Sequence, residues 1–194
     1  EKREEDIRPC VGANYCLDRI YQGGLAFCLH NPATGREETM PHLIPAAQTK
    51  RRITIVGAGP AGVEAARVAA ERGHEVTVFD PRPKAGGLNE YGIASYKSTN
   101  DFAQAEVAWL MQIGGITLHH GKALGRDVHL ADLQKDYDAV FLGLGLAGVN
   151  ALRAEGEDAS GVSNAVDFIS TLRQSSDLAG LPVGRRVVVI GGGM

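Results

Sequence analysis

The sequence predicts an α/β chain built on a doubly wound parallel sheet, and three observations carry that expectation. A short β-branched apolar run, Ile53 to Val56, leads straight into Gly57-x-Gly59-x-x-Gly62. An Ala-rich helical segment ending near Gly73 follows, and then a second apolar run, Val76 to Phe79, which delivers Asp80 at its carboxyl end. The opening layout returns late in the chain, where Arg185-Arg186 and VVVI run into Gly191-x-Gly193 as Arg51-Arg52 and ITIV run into Gly57-x-Gly59. Short apolar runs suit strands buried on both faces of a parallel sheet. Strand, glycine turn, helix, strand and acid in that order make the βαβ unit of a Rossmann-like domain.

Each residue type in the first unit has a mechanical reason. Gly57 makes the tight turn, Gly59 lets a pyrophosphate approach the backbone, and Gly62 lets the helix pack closely on the strand. Pro60 and Ala61 open that helix, whose free N–H groups hold phosphate. Asp80, 18 residues after Gly62, accepts hydrogen bonds from adenosine ribose hydroxyls and repels a 2′-phosphate, which favours FAD, NAD or ADP over NADP at this unit.

The elements that follow are read from periodicity. Thr99 or Asn100 caps a helix whose apolar positions are Phe102, Ala103, Val107, Trp109, Leu110 and Ile113, with Trp109 expected in the core and Gly114-Gly115 ending it. Ile116 to Leu118 is a strand, a short helix lies around Leu130 to Gln134, and the stretch from Tyr137 to Gly145 reads as a buried strand running into a glycine turn at Gly143 and Gly145. Those two glycines are secondary cofactor candidates, with close strand packing as the alternative. Ser163 caps a helix that buries Ala165, Val166, Ile169 and Leu172.

Composition excludes several classes. A net charge of −3 offers no attraction to nucleic acid or an anionic membrane. The longest nearly unbroken apolar run, Ala139 to Val149, has 11 residues and three glycines, against the ~18 or more of a membrane-spanning helix. Glycine is in surplus, 25 of 194 residues against a usual ~7%, so some backbone here must go where side chains cannot. The chain opens with EKREED, lacks a basic-then-apolar leader and stops at GGGM. Two expectations follow: a cytoplasmic setting, and ends that are cuts in a longer protein. The six histidines form no H-E-x-x-H spacing and nothing resembles a nucleophile elbow, so no side chain is assigned as catalytic.

Cys10, Cys16 and Cys28 are the only cysteines. Clustered, odd in number and without a leader, they suit metal or redox work better than a disulfide framework. Thiolates from a tight loop plus one more distant cysteine are the ligand shape of an iron-sulfur cluster, here one ligand short.

Two resemblances attach to these motifs. The stretch from Arg8 to Arg36, RPCVGANYCLDRIYQGGLAFCLHNPATGR, resembles the cluster-binding segment of multidomain old-yellow-enzyme relatives of the dienoyl-CoA reductase, trimethylamine dehydrogenase and N-methylproline demethylase type. That likeness places Cys10, Cys16 and Cys28 as first, third and fourth ligands, with Ala13 where the second stands. A three-iron cluster, a non-cysteine ligand such as His30 or Asn14, or three reduced thiols all remain open. From about Pro81 the chain is instead similar to the glutamate synthase small subunit and dihydropyrimidine dehydrogenase flavin subunit family, on Gly86-Gly87-Leu88, Tyr91-Gly92-Ile93 and Lys97, with Ala94 in place of the commoner proline. In that family the segment lies along the FAD.

Together the resemblances imply an iron-sulfur flavoprotein oxidoreductase of the two-dinucleotide-binding type. FAD would be held at Gly57 to Gly62, Asp80 and Gly86 to Leu88, and NAD(P)H at a second unit opened by Gly191 and Gly193. Electrons would pass by way of iron-sulfur centres to a catalytic domain or subunit carrying the substrate site. The alternatives are an electron-transfer domain of an old-yellow-enzyme-type reductase or demethylase, and an ADP-binding module without redox work. The expected organisation is a Cys-containing segment over 1–49, an incomplete FAD-binding domain over 50–183, and the start of an NAD(P)H-binding domain over 184–194.

Overall fold

The computed structural model describes residues 10, 12, 14–28, 31–40, 44–146 and 148–191; Ala13, His30 and Gly193 lie outside the described residues. The chain divides into two units, Glu1–Gln48 and Thr49–Met194.

Among its described residues the first unit holds one short helix, α1 (Tyr15–Tyr21), entered through Asn14 in the left-handed conformation. The Phe27 ring receives the guanidinium groups of Arg19 and Arg36 at 5.6 and 4.8 Å. Ala33 is buried.

The second unit is an α/β layer structure. Strand β1 (Arg52–Val56) is followed by α2 (Pro60–Glu71) and β2 (Glu75–Asp80), then the one-turn α3 (Leu88–Tyr91), α4 (Phe102–Gln112) and β3 (Ile116–His120). Helix α5 (Leu130–Asp136), strand β4 (Ala139–Leu142) and α6 (Ala165–Gln174) complete it. The four strands are ordered β3-β2-β1-β4, and every pairing is parallel. Ile55 pairs with Val78 on one side and Phe141 on the other. The order reverses at β1, so the carboxyl ends of β1 and β4 flank the crevice where ligands of open parallel sheets bind.

The core lies between the sheet and α2. Ile55, Ala58, Ala66, Ala69, Val76, Val78 and Ala85 form it. Ile55 and Val76 are fully enclosed, a burial that stabilises by about 1.5–3 kcal/mol per side chain. Helix α2 turns Gly62, Ala66 and Ala69 inward, a spacing of four and three that keeps small residues on one stripe and lets the helix axis lie close to β1. Among the described residues no helix is long and apolar enough to cross a membrane.

Five local expectations are corrected. Strand β4 is not buried: it lies at the sheet edge and pairs only with β1, so Ala139, Phe141 and Leu142 are exposed and Val140 alone is half-buried. Trp109 is 54% exposed: α4 buries Ala103 and Leu110, seven residues apart on one stripe, and Trp109 lies one position off it. The N-cap of α4 is Asp101 in the left-handed region, with Thr99 supplying only its carbonyl to the Phe102 N–H at 3.2 Å. Helix α6 buries none of its residues and starts after Asn164, not Ser163; Ile169 and Leu172 are half-buried while Ala165 and Val166 are exposed. Residues 187–190 form no strand and are 63–87% exposed, because a strand exists only by pairing and no edge of this sheet takes them.

Candidate dinucleotide site

The glycines of three separate segments meet at the carboxyl end of β1. Gly57 leaves the strand at φ +104, its N–H donating to Phe79 O at 2.7 Å. A Cβ on Gly57 would lie 2.2 Å from Gly143 O, and one on Gly62 would lie 1.8 Å from Gly57 O. The Gly143 N–H donates to Val56 O at 2.8 Å, so the turn after β4 is tied against the first turn of α2. These contacts are backbone on backbone, and no side chain larger than hydrogen fits between them.

The Gly86-Gly87 turn closes over the same point. The Gly86 N–H donates to Ala58 O at 2.7 Å, and a Cβ on Gly87 would come within 2.6 Å of Gly59 Cα. Both glycines have positive φ, +111 and +51. A Cβ on Gly59 would meet only Gly87 Cα, at 3.7 Å, so its approach is open. Gly59 is the N-cap of α2 and Pro60 its first residue. A helix leaves its first N–H groups without intrahelical acceptors, here Ala61 and Gly62, and its macrodipole favours an anion at that end. Pro60 has no N–H to lose and its ring presets the helical φ.

Asp80 joins the same cluster. The carboxylate is 7% exposed, with Oδ2 accepting the Ala58 N–H at 2.7 Å and Oδ1 the Arg82 N–H at 2.8 Å. Each carboxylate oxygen keeps acceptor capacity beyond one bond, so a ribose hydroxyl has a partner there. Asp80 therefore holds the glycine turn to the end of β2, with acceptor capacity left over. His119 stacks on Phe79 at 5.3 Å, and His120 Nδ1 lies 3.2 Å from Arg82 O, leaving neither ring arranged for proton transfer at the crevice.

The structure thus brings Gly57, Gly59, Pro60, Ala61, Gly62, Asp80, Gly86, Gly87 and Gly143 into one place. Leu88 opens α3 and is 65% exposed. Gly145 and Gly191 stand apart, since a Cβ on either would meet nothing within 4 Å. Gly191 does share the turn conformation of Gly57, φ +109 against +104. The cradle fits the pyrophosphate and ribose of a dinucleotide. Among the described residues the late stretch from Arg185 to Gly191 makes no cradle of its own. A mostly apolar hollow of about 520 Å³ is lined by α2, β1 and Phe141, with Ala61 of the site helix and the polar side chains of Glu64, Arg72 and His74 in its wall.

Several residues at the site escaped the sequence reading. Glu90 is 3% exposed and accepts from Gln104 Nε2 at 2.9 Å, Gln174 Nε2 at 2.7 Å and Lys84 Nζ at 3.4 Å. Burial pushes its carboxyl pKa up, but the two amides and the Lys84 charge outweigh that and hold it below the ordinary range. Arg173 donates to the carbonyls of Glu90, Ile93 and Ser98. One signal was available: Arg173 stands four residues after Ile169, on the stripe expected to be buried, where an arginine needs acceptors.

The three cysteines are not gathered. Cys10 is exposed, and Cys16 and Cys28 are partly buried. Cys10 Sγ accepts the Gly12 N–H at 3.4 Å and Cys28 Sγ the Asn31 N–H at 3.3 Å. Among the described residues no group of three or more His, Cys, Asp or Glu could hold a metal ion. The described thiols as arranged do not fit a cluster.

Comparison with known proteins agrees with this geometry. The probable N-methylproline demethylase of Rhizobium meliloti (strain 1021) is 71% identical over 87 residues, 45% of this chain and 13% of that protein. The glutamate synthase [NADPH] small chain of Escherichia coli (strain K12) is 37% identical over 165 residues, 79% of this chain and 34% of that one. Among solved structures, a 2-naphthoyl-CoA reductase superposes with a TM-score of 0.63 at 28% identity, over 86% of this chain and 25% of the reductase. The chain spans about an eighth of the demethylase and a third of the synthase chain. Residues 51–194 match the family model described as pyridine nucleotide-disulphide oxidoreductase, and with that match over most of its length the chain belongs to this family of FAD/NAD(P)-binding oxidoreductases.

Proposed function

We propose that the chain is the FAD-holding part of an NAD(P)H-dependent flavoprotein oxidoreductase, with the substrate site on another domain or subunit. The observation that carries this is the meeting of Gly57, Gly59, Gly62, Gly87 and Gly143 at the start of α2, with Asp80 bonded into the same turn. Ala61 and Gly62 N–H groups bind the pyrophosphate, Gly59 leaves room for it, and Asp80 accepts from the adenosine ribose. Gly86 to Leu88 line the flavin side. Bound FAD supplies the hydride-accepting and electron-releasing chemistry, which no side chain at this site provides. Residues 50–183 form this FAD-binding part, and 184–194 open the nicotinamide unit.

Two features support a division of labour with a partner domain. Among the described residues the carboxylate in the glycine cluster is that of Asp80, held by two backbone N–H groups, and the relatives are proteins several times longer. Titrating FAD into the 194-residue chain, with ADP as competitor, tests the proposal. FAD binding reversed by ADP supports it. Binding of ADP without any for FAD would favour a nucleotide-binding module that does no redox work.

A further inference from the structure

The flavin-side loop is held only in part by its own residues. Gly86 and Gly87 adopt φ +111 and +51, and adjacent glycines lose more backbone freedom on ordering than any other pair. Its local contacts are one-turn bonds, such as Tyr91 N–H to Gly87 O at 2.9 Å and Ile93 N–H to Leu88 O at 2.9 Å, and two from Lys84, whose N–H donates to Tyr91 Oη at 3.1 Å and whose Nζ donates to Glu90 Oε1 at 3.4 Å. The remaining ties come from far away in sequence. Arg173 on α6 donates through Nε to Glu90 O, and through Nη1 to Ile93 O at 3.0 Å and Ser98 O at 3.3 Å, across 83, 80 and 75 residues. Next to it, Gln174 Nε2 reaches Glu90 Oε1 at 2.7 Å. From α4, Gln104 Nε2 spans Ala85 O and Glu90 Oε2, both at 2.9 Å.

We infer that Arg173 is a positioning residue, which through the carbonyls of Glu90, Ile93 and Ser98 fixes the Gly86–Leu88 loop in its cofactor-facing arrangement, with Glu90 as the buried knot of the same tie. This rests on the FAD reading above. A guanidinium suits the task because its donors form a rigid planar fork, whereas an ammonium is a point charge on a flexible stem and cannot reproduce the same set of angles. Helix α6 buries no residue fully, Ile169 and Leu172 being half-buried, and this polar junction ties it to α3 and the segment that follows. The adenosine half of the site depends on α2, β1 and Asp80 and makes no use of α6. The junction therefore governs the grip on the flavin half and leaves the ADP half alone.

The discriminating measurement is a pair of titrations, FAD and ADP, into the 194-residue chain and its variants Arg173→Met, Arg173→Lys and Gln174→Ala. Arg173→Met should weaken FAD binding about tenfold or more, the effect of losing charge-assisted hydrogen bonds, and change the visible circular dichroism of bound flavin. ADP affinity should stay within about twofold, because the lost bonds touch none of its contacts. Arg173→Lys should recover part of the loss, and Gln174→Ala should show a smaller change of the same kind. In the ligand-free chain, Arg173→Met should speed hydrogen exchange at the Tyr91, Gly92 and Ile93 amides. Unchanged FAD affinity and dichroism would overturn the inference, and so would equal losses for FAD and ADP, which mark a general structural role. A wild-type chain that binds ADP but not FAD overturns the FAD reading instead, and exchange at the three amides still tests the tie itself.

Discussion

Replacing Gly62 by alanine sets two opposed effects against each other at a known distance. Alanine is the better helix former, by roughly 0.5–1 kcal/mol within a helix. Its Cβ, however, would lie 1.8 Å from Gly57 O, 2.9 Å from Gly57 C and 3.3 Å from Ile55 Cγ2. A carbon must stand about 3.3 Å or more from a carbonyl oxygen, so α2 and the turn have to part by roughly 1.5 Å. Overpacking of this kind costs about 1–3 kcal/mol or more, which exceeds the propensity gain. The same displacement takes the Ala61 and Gly62 N–H groups out of the ~2.7–3.2 Å range in which they bond a phosphate. With about 1.5–3 kcal/mol lost for each such bond, FAD affinity should fall about a hundredfold or more. Gly73→Ala is the control: Gly73 has φ +87 with nothing within 4 Å of its Cβ position, so it should cost about 1–2 kcal/mol of backbone strain and leave binding intact. Urea unfolding gives the stabilities, and titration calorimetry with FAD gives the affinities. Wild-type affinity in Gly62→Ala, or an equal loss of affinity in Gly73→Ala, would refute the close-packing argument.

Other outcomes follow from the same geometry. Asp80→Asn presents an amide N–H₂ to one of two backbone donors now bonded at 2.7 and 2.8 Å; it should lower stability by about 1–3 kcal/mol and weaken FAD, and an unchanged urea midpoint would contradict the bridging role. Glu90 has a lowered folded pKa, so its contribution is complete above its ordinary value of 4.5 and is lost as pH falls through the folded value. Glu90→Gln should therefore lower stability at neutral pH and flatten the acid limb below pH 4.5, and parallel curves for the two proteins would count against it. The chain prepared anaerobically with iron and sulfide should hold far less than one cluster per molecule, since its thiols are not gathered; stoichiometric iron and sulfide would restore Cys10, Cys16 and Cys28 as ligands. Because residues 187–190 pair with no strand, the chain alone should not oxidise NADH or NADPH, and sustained turnover monitored at the nicotinamide band would oppose that assignment.

What could be read in advance was whatever local chemistry dictates. The βαβ unit from Arg52 to Asp80 was legible because β-branched runs, a glycine turn and an Ala-rich helix each reveal themselves within a few residues. Gly143 was left between cofactor contact and strand packing, and its position against Gly57 and Gly62 shows the packing role. The misses are tertiary. Trp109 fits a helical apolar pattern, and only the direction in which α4 meets the sheet leaves it outside. The place of Arg173 on the expected buried stripe signals a need for acceptors, but nothing local names Glu90, 83 residues away, as its partner. The VVVI run before Gly191 reads as a strand from its side chains, but a strand is completed by a neighbour, which sequence alone does not supply.

The most direct measurement is equilibrium titration of the purified 194-residue chain with FAD, followed by flavin absorbance and fluorescence and reversed with ADP. One FAD per chain, displaced by ADP and lost in Gly62→Ala, is the expected result, because pyrophosphate, ribose and flavin side each have their part of the glycine cradle. An affinity for ADP that FAD does not share, or FAD binding indifferent to Gly62, would contradict the assignment of this crevice to a flavin dinucleotide.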